Sequence, residues 1–212
     1  FKAFVDSCHG RGIAVIIDIV FNHAFGQSPM LHLYWDGANN RPAANNPWFN
    51  AICPHMPYCW GYDYNHESQA TQNFMDRVNH YWLDEYHVDG FRFDFTKGFS
   101  NNSNNYDNGR IQLLKRMADT IWSVHPNSYI ILEHWADNNE EKILADYGMM
   151  LWGNVTHGYQ ESGMGFISGS NLSFGVYKYR TWSQPHLVSY MESHDEERIM
   201  YKNITYGNNG PN

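Results

Sequence analysis

Apolar residues along this chain gather into short unbroken runs and longer periodic stretches, in alternation. Residues 13–20, IAVIIDIV, are a mostly β-branched run with one carboxylate, the pattern of a parallel strand covered on both faces. Residues 68–86 repeat their apolar positions at helical spacing, which places Phe74, Val78, Trp82 and the neighbouring Tyr81 on one face. Residues 88–95, VDGFRFDF, alternate strictly, so Arg92 and Asp94 are expected to point one way and Phe91, Phe93 and Phe95 the other. After an Asn-rich stretch, 98–109, the spacing predicts a second helix with Ile111, Leu114, Ala118, Ile121 and Trp122 buried. Shorter runs predict strands over 129–133, 148–152 and 187–192, and a helix over 140–147.

Strands alternating with helices predict an α/β fold with a parallel sheet. No Gly-rich phosphate loop follows the first strand, which disfavours a dinucleotide-binding fold. A barrel fits better, because acidic residues recur where strands end, and barrel chemistry sits at the C-terminal ends of strands. Residues 21–67 have no clear period and carry Pro29, Pro42, Pro47, Pro54 and Pro57. That segment is too long for an ordinary connection and reads as functional.

Composition narrows the picture. Aromatic residues make up 17% of the 212, with 8 Trp and 15 Tyr, which suits either a Trp-heavy core or flat platforms for sugar rings. A net charge of -8 argues against a nucleic-acid partner. No apolar run reaches the ~20 residues of a membrane span. Residue 1 falls within a helix-like stretch without a Met and residues 208–212 read as a loop, so both ends read as truncations, and the lack of a signal peptide says nothing of location. Cys8 reads as a buried free thiol. Cys53 and Cys59 could close a small disulfide loop in an oxidising compartment, or with His55 hint at zinc, although no second ligand pair follows.

The chemistry concentrates at strand ends. Arg92 and Asp94 share a strand face, and charges there are costly to bury unless paired. They are either a structural salt bridge or a carboxylate kept ionised as a nucleophile. Glu133 ends the next predicted strand beside His134 and Trp135, where desolvation would raise its pKa and suit a general acid. His194 and Asp195 end the last strand, and Asp18, Asn22 and His23 the first. Two carboxylates flanking one bond are what glycoside hydrolysis needs.

Read in order, these segments resemble the signatures of the α-amylase superfamily: residues 18–23 (DIVFNH), 90–94 (GFRFD), Glu133 with its strand, and 193–195 (SHD), with 61–65 (GYDYN) similar to a shorter fifth signature. The resemblance spans nearly the whole chain. It implies a partial (β/α)8 TIM barrel whose third to seventh strands are present, over residues 1–20 and 68–212, with 21–67 as the irregular domain inserted after the third strand. It implies retaining double displacement, with Asp94 as nucleophile, Glu133 as acid and base, and Asp195 stabilising the transition state. Arg92 would hold Asp94, Asp18 would orient Arg92, and His23, His194 and Lys97 would contact substrate. His134 and Trp135 are further substrate-binding candidates, and Trp35, Trp48, Trp60 and Tyr62 could line subsites.

Asn22 and Asp63 match positions that ligate a structural calcium in many members, with a backbone carbonyl after the second signature as a further ligand. No organic cofactor is implied. The first expectation is endo-hydrolysis of α-1,4 bonds in starch- or glycogen-type α-glucans by a secreted, periplasmic or cell-surface protein, monomeric at full length. Alternatives are an α-1,6-acting or transferring member, such as a pullulanase or branching enzyme, and a catalytically inactive glucan-binding relative. The inactive reading is disfavoured because all three carboxylates are present. An unrelated metal-dependent barrel hydrolase would need a multi-ligand cluster at the strand ends, which the sequence lacks.

Overall fold

The computed structural model describes residues 1–208, so of the loop expected over 208–212 only Asn208 is described. Its centre is a five-stranded parallel sheet: β1 (Ile16–Ile19), β6 (Gly90–Phe93), β7 (Tyr129–Leu132), β8 (Met150–Asn154) and β9 (Leu187–Tyr190), in that spatial order. The register aligns Asp18 with Arg92 and Ile131. All five strands fall within or across the runs read from the sequence.

Helices follow the strands and cover the sheet: α3 (Gln69–Tyr86), α4 (Asn108–Val124) and α5 (Asn138–Tyr147). Each begins on a side-chain cap, from Ser68, Asp107 and Asp137 respectively. Buried Ile111, Leu114, Ala118 and Ile121 of α4 join Phe91, Phe93, Ile130, Leu132 and Leu151 in one core, with Trp122 partly buried beside it. The inner face of α3 is set by Thr71, Met75, Asn79 and Leu83, flanked by half-buried Phe74, Val78 and Trp82. Tyr81 departs from its expected place and is exposed, because it falls a turn-fraction past the buried stripe. Two further helices, α6 (Thr156–Met164) and α7 (Ile199–Tyr206), were not expected, and α1 (Lys2–His9) opens the chain.

Gly90 fixes how closely β6 approaches β7. Its φ is +157°, and a Cβ there would lie 2.1 Å from the Tyr129 carbonyl oxygen, so no side chain fits.

The 21–67 segment carries two small antiparallel pairs, β2 (His23–Ala24) with β5 (Tyr62–Asp63) and β3 (Trp35–Asp36) with β4 (Arg41–Pro42), and the short helix α2 (Pro29–Leu33). Cys53 and Cys59 form a disulfide, which disposes of zinc at that pair. Cys8 is free and only half-buried. No described helix is long and apolar enough to cross a membrane.

Candidate active site

The C-terminal ends of β1, β6 and β7 converge on Arg92. Main-chain bonds carry the sheet pattern one residue past each strand: Asp94 N donates to Ile19 O at 3.0 Å, and Glu133 N to Phe93 O at 3.0 Å. Asp94 and Glu133 are thereby held on neighbouring strand ends. Arg92 Nη1 donates to Asp18 Oδ1 at 2.8 Å and to Asp94 Oδ1 at 3.1 Å. Its Nη2 lies 2.8 Å from Glu133 Oε1, an ion-pair distance at an angle that makes no hydrogen bond. One guanidinium therefore touches three carboxylates. Its central carbon lies over the Trp152 ring of β8, 4.1 Å from the ring centre.

Electrostatics separates the carboxyl groups. Glu133 is 2% exposed. Burial raises its pKa to about 7, against the lowering influence of Arg92 and the Phe95 N–H, and the charges of Asp94 and Asp195 raise it further. Burial would lower the Arg92 guanidinium, but Glu133, Asp18 and Asp94 hold it above its ordinary value. Burial also lowers the His23 imidazole, partly offset by Asp94.

The remaining sequence-derived residues differ in where they stand. Asp195 and His194 stand on the exposed side after β9, 3.4 Å apart, with Asp195 close enough to act on Glu133. His23, Lys97 and Trp135 border the same end of the sheet. The Lys97 Nζ donates to Asn105 at 3.1 Å, and burial lowers its pKa. Trp135 is 39% exposed and packs edge-on against Phe95. Phe95 was expected on the face of Phe91 and Phe93. Instead the strand ends at Phe93, and Phe95 turns left-handed (φ +38°) to pack on Trp60 and Trp135.

His134 is the correction among the candidates. It is fully buried, with Nδ1 2.8 Å from Thr96 Oγ1 and Nε2 2.9 Å from Glu140 Oε1, and it offers nothing to a substrate. The signal was present: residues adjacent in an extended chain point to opposite sides, so a Glu133 facing the site turns His134 away. Of the aromatic candidates, Trp60 is exposed next to Phe95, whereas Trp48, Tyr62 and Trp35 are half-buried and packed on other aromatic rings. Sequence reasoning missed Trp152, Thr96, Arg110 and Glu140, which reach the site only through long-range packing.

Asp63 pairs with His23 where β2 meets β5, and Asn22 immediately precedes β2. Asn22 and Asp63 are both buried. Asn22 Oδ1 has no hydrogen-bond partner and lies against Gly98, where a Cβ would come within 1.7 Å of it. Asp63 accepts one side-chain hydrogen bond, from Asn50 Nδ2 at 2.7 Å, its Oδ1 lies 4.0 Å from the buried His55 Nε2, and burial raises its pKa to about 7. Two buried, under-partnered oxygens fit a hard cation. Among the described residues no cluster of three or more His, Cys, Asp or Glu side chains is placed for a metal.

Comparison with known proteins agrees with this geometry. No protein-family model matches the chain. A 1,4-α-glucan branching enzyme of Bacillus caldolyticus is 28% identical over 203 residues, covering 93% of this chain and 26% of that protein. The chloroplastic isoamylase SU1 of Zea mays is 38% identical over 99 residues, covering 44% of this chain and 12% of that protein. The chain spans 20–28% of the length of the first branching enzymes it matches. Among solved structures, the cyclic α-maltosyl-(1→6)-maltose hydrolase of Arthrobacter globiformis superposes with a TM-score of 0.69 at 18% identity, covering 96% of this chain and 47% of that one. The ordered signatures, the parallel sheet and these relatives all show the chain to be similar to members of the α-amylase superfamily.

Proposed function

We propose that the five-stranded sheet is part of a (β/α)8 barrel, and that this chain carries the catalytic centre of a retaining enzyme acting on α-glucans at branch points. The observation that carries the reading is the Arg92 fork, which holds Asp94 beside a Glu133 raised to about 7. Two carboxyls gathered on one guanidinium suit the retaining class, whose groups stand about 5–5.5 Å apart. Asp94, hydrogen-bonded to Arg92, attacks the anomeric carbon. Glu133, protonated, gives its proton to the leaving glycosidic oxygen. The resulting β-glycosyl ester on Asp94 is attacked by water or by a second glucan hydroxyl, and Glu133 takes back the proton. Asp195, His194 and His23 bind sugar hydroxyls, and the 21–67 segment forms one wall of the cleft.

Similarity to branching enzymes and an isoamylase favours α-1,6 chemistry over the α-1,4 endo-hydrolysis first expected. The test uses the full-length protein on amylose and on pullulan, with anomeric configuration followed by NMR. Pullulan cleavage to α-anomeric products indicates debranching. Amylose that gains α-1,6 linkages without new reducing ends indicates branching. Reducing ends from amylose alone would restore the α-1,4 reading, and inverted products would sink the mechanism.

The acid assignment sets a pH dependence. Glu133 must be protonated in the free enzyme to start the reaction, so kcat/KM should fall about tenfold per pH unit above about 7. A profile flat to pH 9 would remove Glu133 from the acid role.

The buried oxygens of Asn22 and Asp63 would hold calcium, which would balance the buried Asp63 carboxylate and tie the 21–67 segment to the barrel. Adding calcium to the chelated protein is expected to raise Tm by several degrees, and Asp63→Asn to abolish that rise. An unchanged Tm over millimolar calcium would exclude the site. The Cys53–Cys59 disulfide supports export to an oxidising compartment, and the full-length protein is proposed to be monomeric.

A further inference from the structure

Glu133 is gripped at both of its ends by the two residues that follow Asp94. Phe95 N donates to Glu133 Oε2 at 3.1 Å, on the side chain. Thr96 N donates to Glu133 O at 2.7 Å, and Thr96 Oγ1 lies 3.1 Å from the same carbonyl. This clamp requires Phe95 to be left-handed, a conformation that a bulky L-residue adopts only when its surroundings enforce it. Trp135, two residues beyond Glu133, is left-handed as well (φ +52°) and packs on Phe95.

What enforces the clamp is a buried relay behind it. Thr96 Oγ1 is 2.8 Å from His134 Nδ1, and His134 Nε2 is 2.9 Å from Glu140 Oε1. Glu140 accepts from Arg110 Nε at 2.7 Å and from Arg110 Nη2 at 2.8 Å. Arg110 then donates to the carbonyls of Lys97, Asn102, Asn104 and Asn105 at 3.2–3.4 Å. Thr96, His134, Glu140 and Arg110 are all fully buried. The relay runs from the main chain of the acid to the loop that carries Lys97, and it contains no group that substrate could reach.

We propose that Thr96, backed by His134, Glu140 and Arg110, is a positioning residue for Glu133: it sets the acid's distance from Asp94 and keeps the Phe95 N–H on its carboxylate. The proposal rests on the retaining reading above, with Glu133 as the acid. Its hydroxyl is the specific requirement. Valine at this position keeps the shape and the main-chain N–H but cannot bond His134, so the turn loosens behind Glu133. A loosened turn weakens the Phe95 N–H contact, which lowers the Glu133 pKa, and its loss moves that pKa up. The other groups acting on Glu133, namely Arg92, Asp94, Asp195 and Tyr190, are left in place by the change.

The experiment compares the full-length wild type with Thr96→Val and Thr96→Ser on the polymer that the wild type prefers, each normalised to folded protein by circular dichroism. Thr96→Val is expected to lower kcat by roughly 10–100-fold, the scale of a small misplacement of a catalytic group, with KM within about twofold. The basic limb of its pH profile should move upward, and Thr96→Ser should restore both. If Thr96→Val gives too little folded protein, Thr96→Ala lacks the same hydroxyl and reads the same quantities. An unchanged kcat and limb in a hydroxyl-free variant would overturn the positioning role alone, as would a Thr96→Ser enzyme no better than Thr96→Val. A wild type inactive on every α-glucan would overturn the retaining reading and this inference with it.

Discussion

Asp94→Asn in the full-length protein is expected to lower kcat by about 10⁴-fold or more, about 5 kcal/mol of lost transition-state stabilisation. The amide keeps the shape of the carboxylate but cannot form the glycosyl ester, so the proposed double displacement loses its first bond. A second effect follows from charge. Asp94 helps to raise Glu133, so its neutralisation lets the Glu133 pKa fall toward the ordinary carboxylate range. Whatever activity remains should therefore lose its acid form at lower pH, and the basic limb should shift down. Single-turnover kinetics across pH reads both quantities. A variant retaining more than a tenth of the wild-type kcat would take Asp94 out of the chemistry.

Arg110→Met is expected to give the largest loss of stability. Arg110 and Glu140 are both fully buried and doubly hydrogen-bonded to each other. Removing the guanidinium strands Glu140 as a buried charge with only His134 and the Asp107 N–H as partners, and frees four loop carbonyls. Loss of one member of such a pair costs about 3–5 kcal/mol. At about 2–4 °C per kcal/mol for a domain of this size, Tm should drop by roughly 6–20 °C. Arg110→Met combined with Glu140→Leu should recover part of the loss, because no charge is then left unpaired. Calorimetry on the three proteins decides it. A single variant within about 1 kcal/mol of wild type would show that water reaches Glu140 and that the relay is not sealed.

The sheet was legible because its strands are short apolar runs between polar or Gly-rich stretches, although only β6 is buried along its whole length. The carboxylates proposed to be catalytic stood out for a related reason: a charged residue closing an apolar run is conspicuous. α6 was not, because THGYQESGM has little apolar periodicity, and it packs through Thr156, Gly158 and Gln160. α7 has no buried residue, so no buried stripe marks it. Phe95 was misplaced because alternation is a rule for strands, and the backbone leaves strand geometry just before it. Thr96, Glu140 and Arg110 carry no local signal. Thr96 meets Glu133 across 37 positions, and Arg110 meets Glu140 across 30. Only the folded chain brings them together.

The Arg92 guanidinium held over the Trp152 ring bears on which cation can occupy position 92. An ammonium is a compact point charge with a tightly held hydration shell, and it would have to shed that shell to sit over the ring. It could face one carboxylate well and the others poorly. The guanidinium is planar and weakly hydrated, so it can offer its face to the indole and its edge to Asp18, Asp94 and Glu133 together. Replacing it with lysine would keep the charge and lose the geometry, and the three acids would then have to converge on one ammonium nitrogen instead of spreading along a fork.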